Sequence, residues 1–194
     1  FRYNYANEVW TIPHAVRREN EMIPSLASVI SGVRRPSEQD FRVNYSIQPT
    51  SIPKVSAVDL LAGRLGPGRM AGKTVVVGPT SVRLGDQYML PGWGQAGGVY
   101  IHIIGAETLK AGRPVDLGWL PAFLLAALTA VATVRLGGRR AAALLLSSGL
   151  VILAAPVGLE RHQVFTDITA GLFVLTWVGT ALGIAQVKRR GLSN

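Results

Sequence analysis

Cysteine is absent from the 194-residue sequence. Without cysteine, the chain can form neither a disulfide framework nor a metal site built on thiolates. This composition suits a domain outside the cytoplasm, but it does not fix the compartment. We predict no cofactor and no metal site for this chain.

Charged residues are scarce after residue 116. Three apolar stretches without any charge occupy residues 117–134, 141–159 and 168–187, and no stretch of this length in the first 116 residues is comparably apolar. As helices rising about 1.5 Å per residue, these stretches reach roughly 27 to 30 Å, the hydrocarbon thickness of a bilayer. The sequence therefore predicts transmembrane helices at 117–134, 141–159 and about 165–187. Three buried helices of a soluble protein are the alternative, but such helices rarely stay uncharged over this length.

Acidic residues are also few, because 11 Asp and Glu stand against 20 Lys and Arg, for a net charge of +9. The loop between the first two stretches and the end of the third are basic, whereas the loop between the second and third is nearly neutral. Short basic loops stay in the cytoplasm. Residues 1–116 are therefore predicted to be an extracytoplasmic domain, 117–190 a multi-pass region of the plasma (inner) membrane, and 191–194 a cytoplasmic tail. More than half of the positive excess lies after residue 116, so nucleic acid is not predicted as a partner.

Residues 1–116 alternate between helix and strand signals. Helices are predicted at 22–30, 57–62 and 104–110, a half-buried strand at 41–47, and fully buried strands at 74–77 and 99–103. Ser56 suits the N-cap of the second helix, and Gly63 suits its end. The expected fold class is an α/β layered sheet with flanking helices, truncated at its N-terminal side, followed by three transmembrane α-helices. Because an exported domain needs a targeting signal and none precedes Phe1, we expect an earlier segment to have been removed or to belong to a longer protein.

One motif imitates a phosphate-binding loop. Gly72, Lys73 and Thr74 match the end of the Walker pattern, but Pro67 stands where its first glycine is required. A phosphate-binding loop also leaves a strand and enters a helix, whereas Lys73 leaves a turn and enters a predicted strand. Nucleotide binding is therefore not predicted here.

Three ionisable residues are candidates for a site. Asp86 follows the predicted strand at 74–77, where it could bind a cation or a ligand amine, or bond to its own turn. His102 lies in the other predicted buried strand, where a histidine is more often a satisfied core residue than a ligand. Together with Glu107 they could form a hydrolytic or metal site only if folding brought them together. In the last span, Gly179 and Gly183 form a Gly-x-x-x-Gly pair that suits close helix packing, although glycine is common in such helices.

Short motifs occur in a fixed order at residues 55–63, 72–78, 84–86, 91, 98–99, 101–102, 106–109 and 112–114, directly before the three uncharged stretches. This ordered set resembles the second type of CHASE domain, an extracellular sensory domain associated with cyclases and histidine kinases. The motif residues with an expected structural role are Asp59, Gly63, Gly72, Lys73, Gly78 and Gly98. The family often has Pro-Gly-Val-Glu where this chain has residues 97–100 as Gly-Gly-Val-Tyr, so a ligand role for that acid is not available.

The resemblance implies a sensory and membrane portion of a bacterial receptor, not an enzyme, with a cyclase, diguanylate cyclase or kinase output expected after Asn194. We expect the signal, a small molecule or a protein, to be sensed by residues of the loops at 80–86 and 91–98 and behind them, namely Thr80, Leu84, Gly85, Asp86, Pro91, His102 and Glu107. The bilayer and a second copy of the chain are the other expected partners. Two alternatives remain: a membrane-anchored hydrolase using Asp86, His102 and Glu107, and an assembly module that dimerises through Gly179 and Gly183.

Overall fold

The computed structural model describes residues 1–33, 37–66, 68–112, 114–136 and 138–191. The chain divides into two compact units, Phe1–Pro114 and Val115–Asn194. Each unit has its own cluster of buried apolar side chains.

The strands of the first unit are short and form small antiparallel sheets. β1 (Arg2–Tyr3), β2 (Val9–Pro13) and β5 (Asp40–Arg42) make a three-stranded sheet in the order β1-β2-β5. β3 (Ala15–Arg18) pairs with β4 (Glu21–Pro24), and β6 (Gln87–Leu90) pairs with β7 (Gly94–Gly97). The observed class is therefore mixed α/β, with several small sheets in place of one layered sheet.

Three helices complete the first unit: α1 (Leu26–Ser31), α2 (Ala57–Leu61) and α3 (Gly98–Ala111). Helix α3 supplies much of the core, because its residues 101, 104, 105 and 108 are buried at helical spacing. Gly105 permits a close approach, since a Cβ there would lie 2.7 Å from Ile12 Cδ1 and 3.2 Å from Ala27 Cβ. The buried apolar cluster consists of Val9, Ile12, Ala27, Phe41, Val43, Tyr45, Leu90, Ile101, Ile104 and Ala106.

Both predictions of fully buried strands are wrong. Residues 99–103 belong to helix α3, because a short apolar run fits a buried helix as well as a buried strand. Residues 74–77 have no regular structure, and Val77 is 90% exposed. A β-branched run forms a strand only beside another strand, and the other segment predicted as a buried strand, residues 99–103, is helical.

The remaining predictions for this unit are right in part. Ser56 caps α2 through its hydroxyl, which accepts a hydrogen bond from the Val58 N–H at 3.3 Å, and this helix matches the prediction closely. The helix predicted at 22–30 begins only at Leu26, because residues 21–24 form β4 and Ser25 is the N-cap. The strand predicted at 41–47 is confined to Asp40–Arg42, although the alternate residues 41, 43 and 45 are all buried as expected.

The described residues of the second unit form three helices and one short ribbon. The helices are α4 (Leu120–Arg135), α5 (Gly138–Glu160) and α6 (Thr169–Gly191), and the ribbon joins β8 (Val115–Asp116) to β9 (Val164–Phe165) in parallel. Within the described part of the chain, two helices are long and apolar enough to cross a membrane, Gly138–Glu160 and Thr169–Lys188. Helix α4 is apolar but has only 16 residues, because Gly118 adopts a left-handed turn (φ 61°) that delays the helix to Leu120. The prediction of spans at 117–134, 141–159 and about 165–187 is corrected to two helices long enough to cross a membrane and a shorter apolar one.

Candidate functional site

The first turn of α3 is covered closely by the segment around residues 78–80. A Cβ at Gly97 would lie 2.7 Å from the Pro79 carbonyl oxygen, and a Cβ at Gly78 would lie 2.7 Å from Val99 Cβ. Larger residues at 78 and 97 would therefore push the two segments apart. Glycine at these positions brings the predicted loop containing Thr80 against the start of α3.

Asp86 lies on the same helix end. Its carbonyl oxygen accepts a hydrogen bond from the Gly98 N–H at 3.1 Å. Its carboxylate lies over Gly98, because a Cβ there would be 2.7 Å from Asp86 Oδ1 and 2.8 Å from Tyr88 Cε2. The positive end of the helix dipole favours an anion at this position. The first residue of α3 must be small for the carboxylate to sit there.

Two further ionisable side chains adjoin this carboxylate. The Tyr88 ring lies beside Asp86 over Gly98, and partial burial together with the nearby carboxylate raises the pKa of Tyr88. His102 follows Gly98 by one helical turn, and burial lowers the pKa of His102 although Asp86 acts in the opposite direction. The Phe1 ring lies 4.9 Å from the Tyr88 ring and 5.1 Å from the His102 ring, measured between centroids. We refer to Asp86, Tyr88, Gly98 and His102 as the Asp86 cluster.

Glu107 does not belong to this cluster. Its carboxylate accepts a hydrogen bond from Lys110 Nζ at 2.8 Å, in a half-exposed pair. It follows His102 by five residues, which places it about 140° around the helix. Folding therefore brings Asp86 and His102 together but leaves out the third member of the hydrolytic set. No group of three or more His, Asp or Glu able to hold a metal ion occurs among the residues that the structure describes.

The other predicted sensing residues are divided between two places. Leu84 and Gly85 are exposed beside Asp86, where Gly85 turns with a φ of 74°. Pro91 begins the turn of the β6–β7 hairpin. The register pairs Gln87 with Gly97 at one end and Leu90 with Gly94 at the other, so Pro91 lies at the end away from Asp86.

The structural motif residues outside the cluster have local roles. Asp59 receives two hydrogen bonds from Arg64, at 2.9 Å and 2.7 Å, just after α2. Gly63 and Gly72 adopt left-handed turns with φ of 66° and 69°. Lys73 is exposed and leads into residues 74–80, which have no regular structure, whereas the lysine of a phosphate-binding loop leads into a helix.

Tyr88 and Gly97 are the site residues that sequence reasoning missed. Tyr88 follows Asp86 by two residues in β6 and lies with it over Gly98, and Gly97 lies against the Pro79 carbonyl. The adjacent pair Gly97-Gly98 was the available signal, because two glycines in a row at a helix start indicate a close approach of backbone.

The glycines of α6 also differ in their surroundings. A Cβ at Gly179 or Gly183 would meet nothing within 4 Å, so neither packs against another described part of the same chain. Gly171 packs instead, because a Cβ there would lie 2.7 Å from the Ala122 carbonyl oxygen. The predicted packing role of Gly179 and Gly183 therefore remains a prediction for contact with a second chain.

Comparison with known families identifies the class of the protein. The CHASE2 domain family matches residues 5–138, more than half of the chain, and the chain therefore belongs to this family. CHASE2 domains are extracellular sensory domains of receptors, so the resemblance inferred from the ordered motifs is confirmed. No curated protein and no solved structure matches the chain.

We expect the first unit to become less stable when the pH is lowered beneath about 6.5, because of His102. Its folded pKa lies below the unfolded value of about 6.5, so on acidification the unfolded chain takes up the proton first. The contribution is complete above pH 6.5 and is lost as pH falls towards the folded pKa. Hydrogen exchange of the α3 amides at pH 7 and pH 5 should show a smaller loss of protection in His102→Gln, after correction for intrinsic exchange rates. His162→Gln, at an exposed histidine of the second unit, is the control, and equal losses in all three chains would contradict the assignment.

Proposed function

We propose that this chain is the extracytoplasmic sensing portion of a bacterial receptor together with its transmembrane relay. The proposed output is a nucleotide cyclase, diguanylate cyclase or histidine kinase domain on the cytoplasmic side. The observation that carries the proposal is the CHASE2 match over residues 5–138, which runs into a unit of three apolar helices. The proposed partners are the bilayer, a small-molecule or protein signal, and a second copy of the chain.

The ribbon of the second unit supports an odd number of crossings. It pairs β8, which precedes α4, with β9, which lies between α5 and α6, so these two segments share one end of the helical unit. The α4–α5 connection and the last turn of α6 then lie at the other end. That other end carries Arg135, Arg139, Arg140 and Lys188, as expected for a cytoplasmic face.

The shorter helix α4 is compatible with this arrangement. Its 16 residues span about 24 Å, some 6 Å less than a typical hydrocarbon core. A short span is accommodated by local thinning of the bilayer and by flanking residues. Leu117 and Trp119 are about half exposed just before the helix, and tryptophan prefers the depth of the lipid headgroups.

The Asp86 cluster is the proposed input site. It combines a carboxylate, a phenol and a half-buried imidazole at the start of α3, beside the loop at 80–86. A signal that binds two arrangements of this loop unequally shifts their populations. Helix α3 ends at Ala111 and β8 begins at Val115, so only three residues connect α3 to the second unit. A displacement of α3 is therefore passed to β8 through a short connection.

Cysteine labelling of intact cells tests the orientation. The chain has no native cysteine, so single cysteines at Gln95, Arg161 and Ser193 can be probed one at a time with a membrane-impermeant maleimide. Ser193 lies outside the described residues, whereas Gln95 and Arg161 are exposed. We expect labelling at 95 and 161, and labelling at 193 only after the cells are permeabilised. Labelling of both 95 and 193, or of neither, in intact cells would overturn the proposal.

A further inference from the structure

The segments that lead into α4 and α6 are bonded to each other. Val115 pairs with Val164 and Asp116 with Phe165. The Val115 N–H donates to the Gln163 carbonyl at 2.9 Å, and the Leu117 N–H donates to the Phe165 carbonyl at 2.9 Å. The start of α4 is therefore tied to a segment almost 50 residues further along the chain.

The bonding continues up to the helix starts. The Gly118 carbonyl accepts hydrogen bonds from the Asp167 N–H at 2.9 Å and from Thr166 Oγ1 at 3.0 Å. The Asp167 carboxylate accepts a hydrogen bond from the Thr169 N–H at 2.8 Å, which fixes the first turn of α6. Each helix thus begins two residues or fewer after a group that is bonded to the other segment.

Direct helix contact follows at the next turn. A Cβ at Gly171 would lie 2.7 Å from the Ala122 carbonyl oxygen and 2.9 Å from Ala122 Cβ, so the backbones of α4 and α6 touch. Helix α5 joins α4 by a different and deeper contact, the hydrogen bond of 2.8 Å between Thr129 Oγ1 and Ser148 Oγ. At the end that carries the ribbon, α4 is held mainly to α6.

We propose that the ribbon and the Gly171 contact couple α4 and α6, so that the two helices move as one rigid body. A displacement of residue 115 then reaches α6, the last helix before the proposed output, without passing through α5. This inference rests on the proposed function for its direction of signal flow. Breaking the pair is costly because backbone groups freed near the hydrocarbon region have little water to replace their partners. The two helices therefore shift together.

Disulfide trapping tests the ribbon in the full chain. Val115→Cys and Val164→Cys are paired positions on adjacent strands, about 4.8 Å apart, which is within the range of a disulfide. After mild oxidation in membranes, we expect the fraction of thiols that still reacts with a maleimide to be at least tenfold lower in this pair than in the control pair Val134→Cys and Val164→Cys. Val134 is at the opposite end of α4, so similar protection of the two pairs, or none in either, would overturn the inference.

Spin-label distances test the coupling independently. Labels on the exposed positions Leu124 and Phe173 of the full chain in lipid nanodiscs report the separation of α4 and α6. Gly171→Leu is expected to lengthen this distance by about 2 Å, the spread of interhelical distances caused by contact side chains. Gly179→Leu, at a position with nothing within 4 Å, should leave it unchanged. Equal distances in all three chains would refute the Gly171 contact.

These results separate the inference from the proposed function. If the 115–164 disulfide forms but residues 95 and 193 are labelled alike in intact cells, the coupling of α4 and α6 stands and the two-compartment topology is wrong. If the disulfide does not form but the labelling is as expected, the topology stands and the coupling of α4 and α6 is wrong. If Gly171→Leu fails to fold, the disulfide pair still decides the outcome.

Discussion

Replacing Ile101 with alanine is expected to lower the free energy of unfolding of the first unit by about 2 to 5 kcal/mol. Ile101 is fully buried in α3, within the apolar cluster that includes Ile104 and Leu90. The substitution removes three buried carbon atoms and leaves a cavity that the surrounding strands can fill only in part. Because α3 also carries Gly98 and His102, the loss should loosen the Asp86 cluster as well.

Hydrogen exchange of the full chain in nanodiscs measures this effect, since protection of the α3 amides reports the opening free energy of the first unit. Val58→Ala is the control, because Val58 also lies in a helix but is 65% exposed. The control should change stability by less than about 0.5 kcal/mol. A loss in Ile101→Ala no larger than that of the control would show that α3 does not form the core.

The second large effect is expected from Gly97→Ala, with a loss of about 1 to 3 kcal/mol. The backbone at Gly97 has φ −64° and ψ 145°, which alanine adopts without strain. The cost is therefore steric and comes from the Pro79 carbonyl oxygen 2.7 Å from the new Cβ. Because this oxygen belongs to the backbone, the whole segment at 78–80 has to move away from α3.

Gly66→Ala is the matched control, since nothing lies within 4 Å of a Cβ at that position. Hydrogen exchange should show faster opening of the first turn of α3 in Gly97→Ala and no change in Gly66→Ala. Unchanged protection of this turn in Gly97→Ala would contradict the close approach.

Features set by neighbouring residues could be predicted from the sequence. The Ser56 cap and the left-handed Gly63 delimit α2 because both act through bonds within a few residues. The uncharged stretches gave the approximate positions of α4, α5 and α6 for a similar reason. The length of α4 was missed because its start depends on bonds from Gly118 to residues 166 and 167.

Features set by distant residues could not be predicted in the same way. The apolar pattern of residues 99–103 fits a strand or a helix, and only packing of α3 against α1 and β2 decides between them. Asp86 and His102 were named as candidates, but their meeting depends on the β6–β7 hairpin, which returns the chain to the start of α3. Glu107 was grouped with them as an ionisable residue that folding could bring close, but the helical turn places it on another side of α3 from His102.

The ribbon also constrains the order in which the second unit can assemble. Gly118 and Thr166 are 48 positions apart, so their bond closes a loop that contains all of α4 and α5. During synthesis, the Gly118 carbonyl has no Thr166 or Asp167 partner until α4, α5 and the segment after them have been made. The start of α4 therefore lacks these bonds until the segment after α5 has been made, and α6, which follows that segment, is the last helix to pack against it.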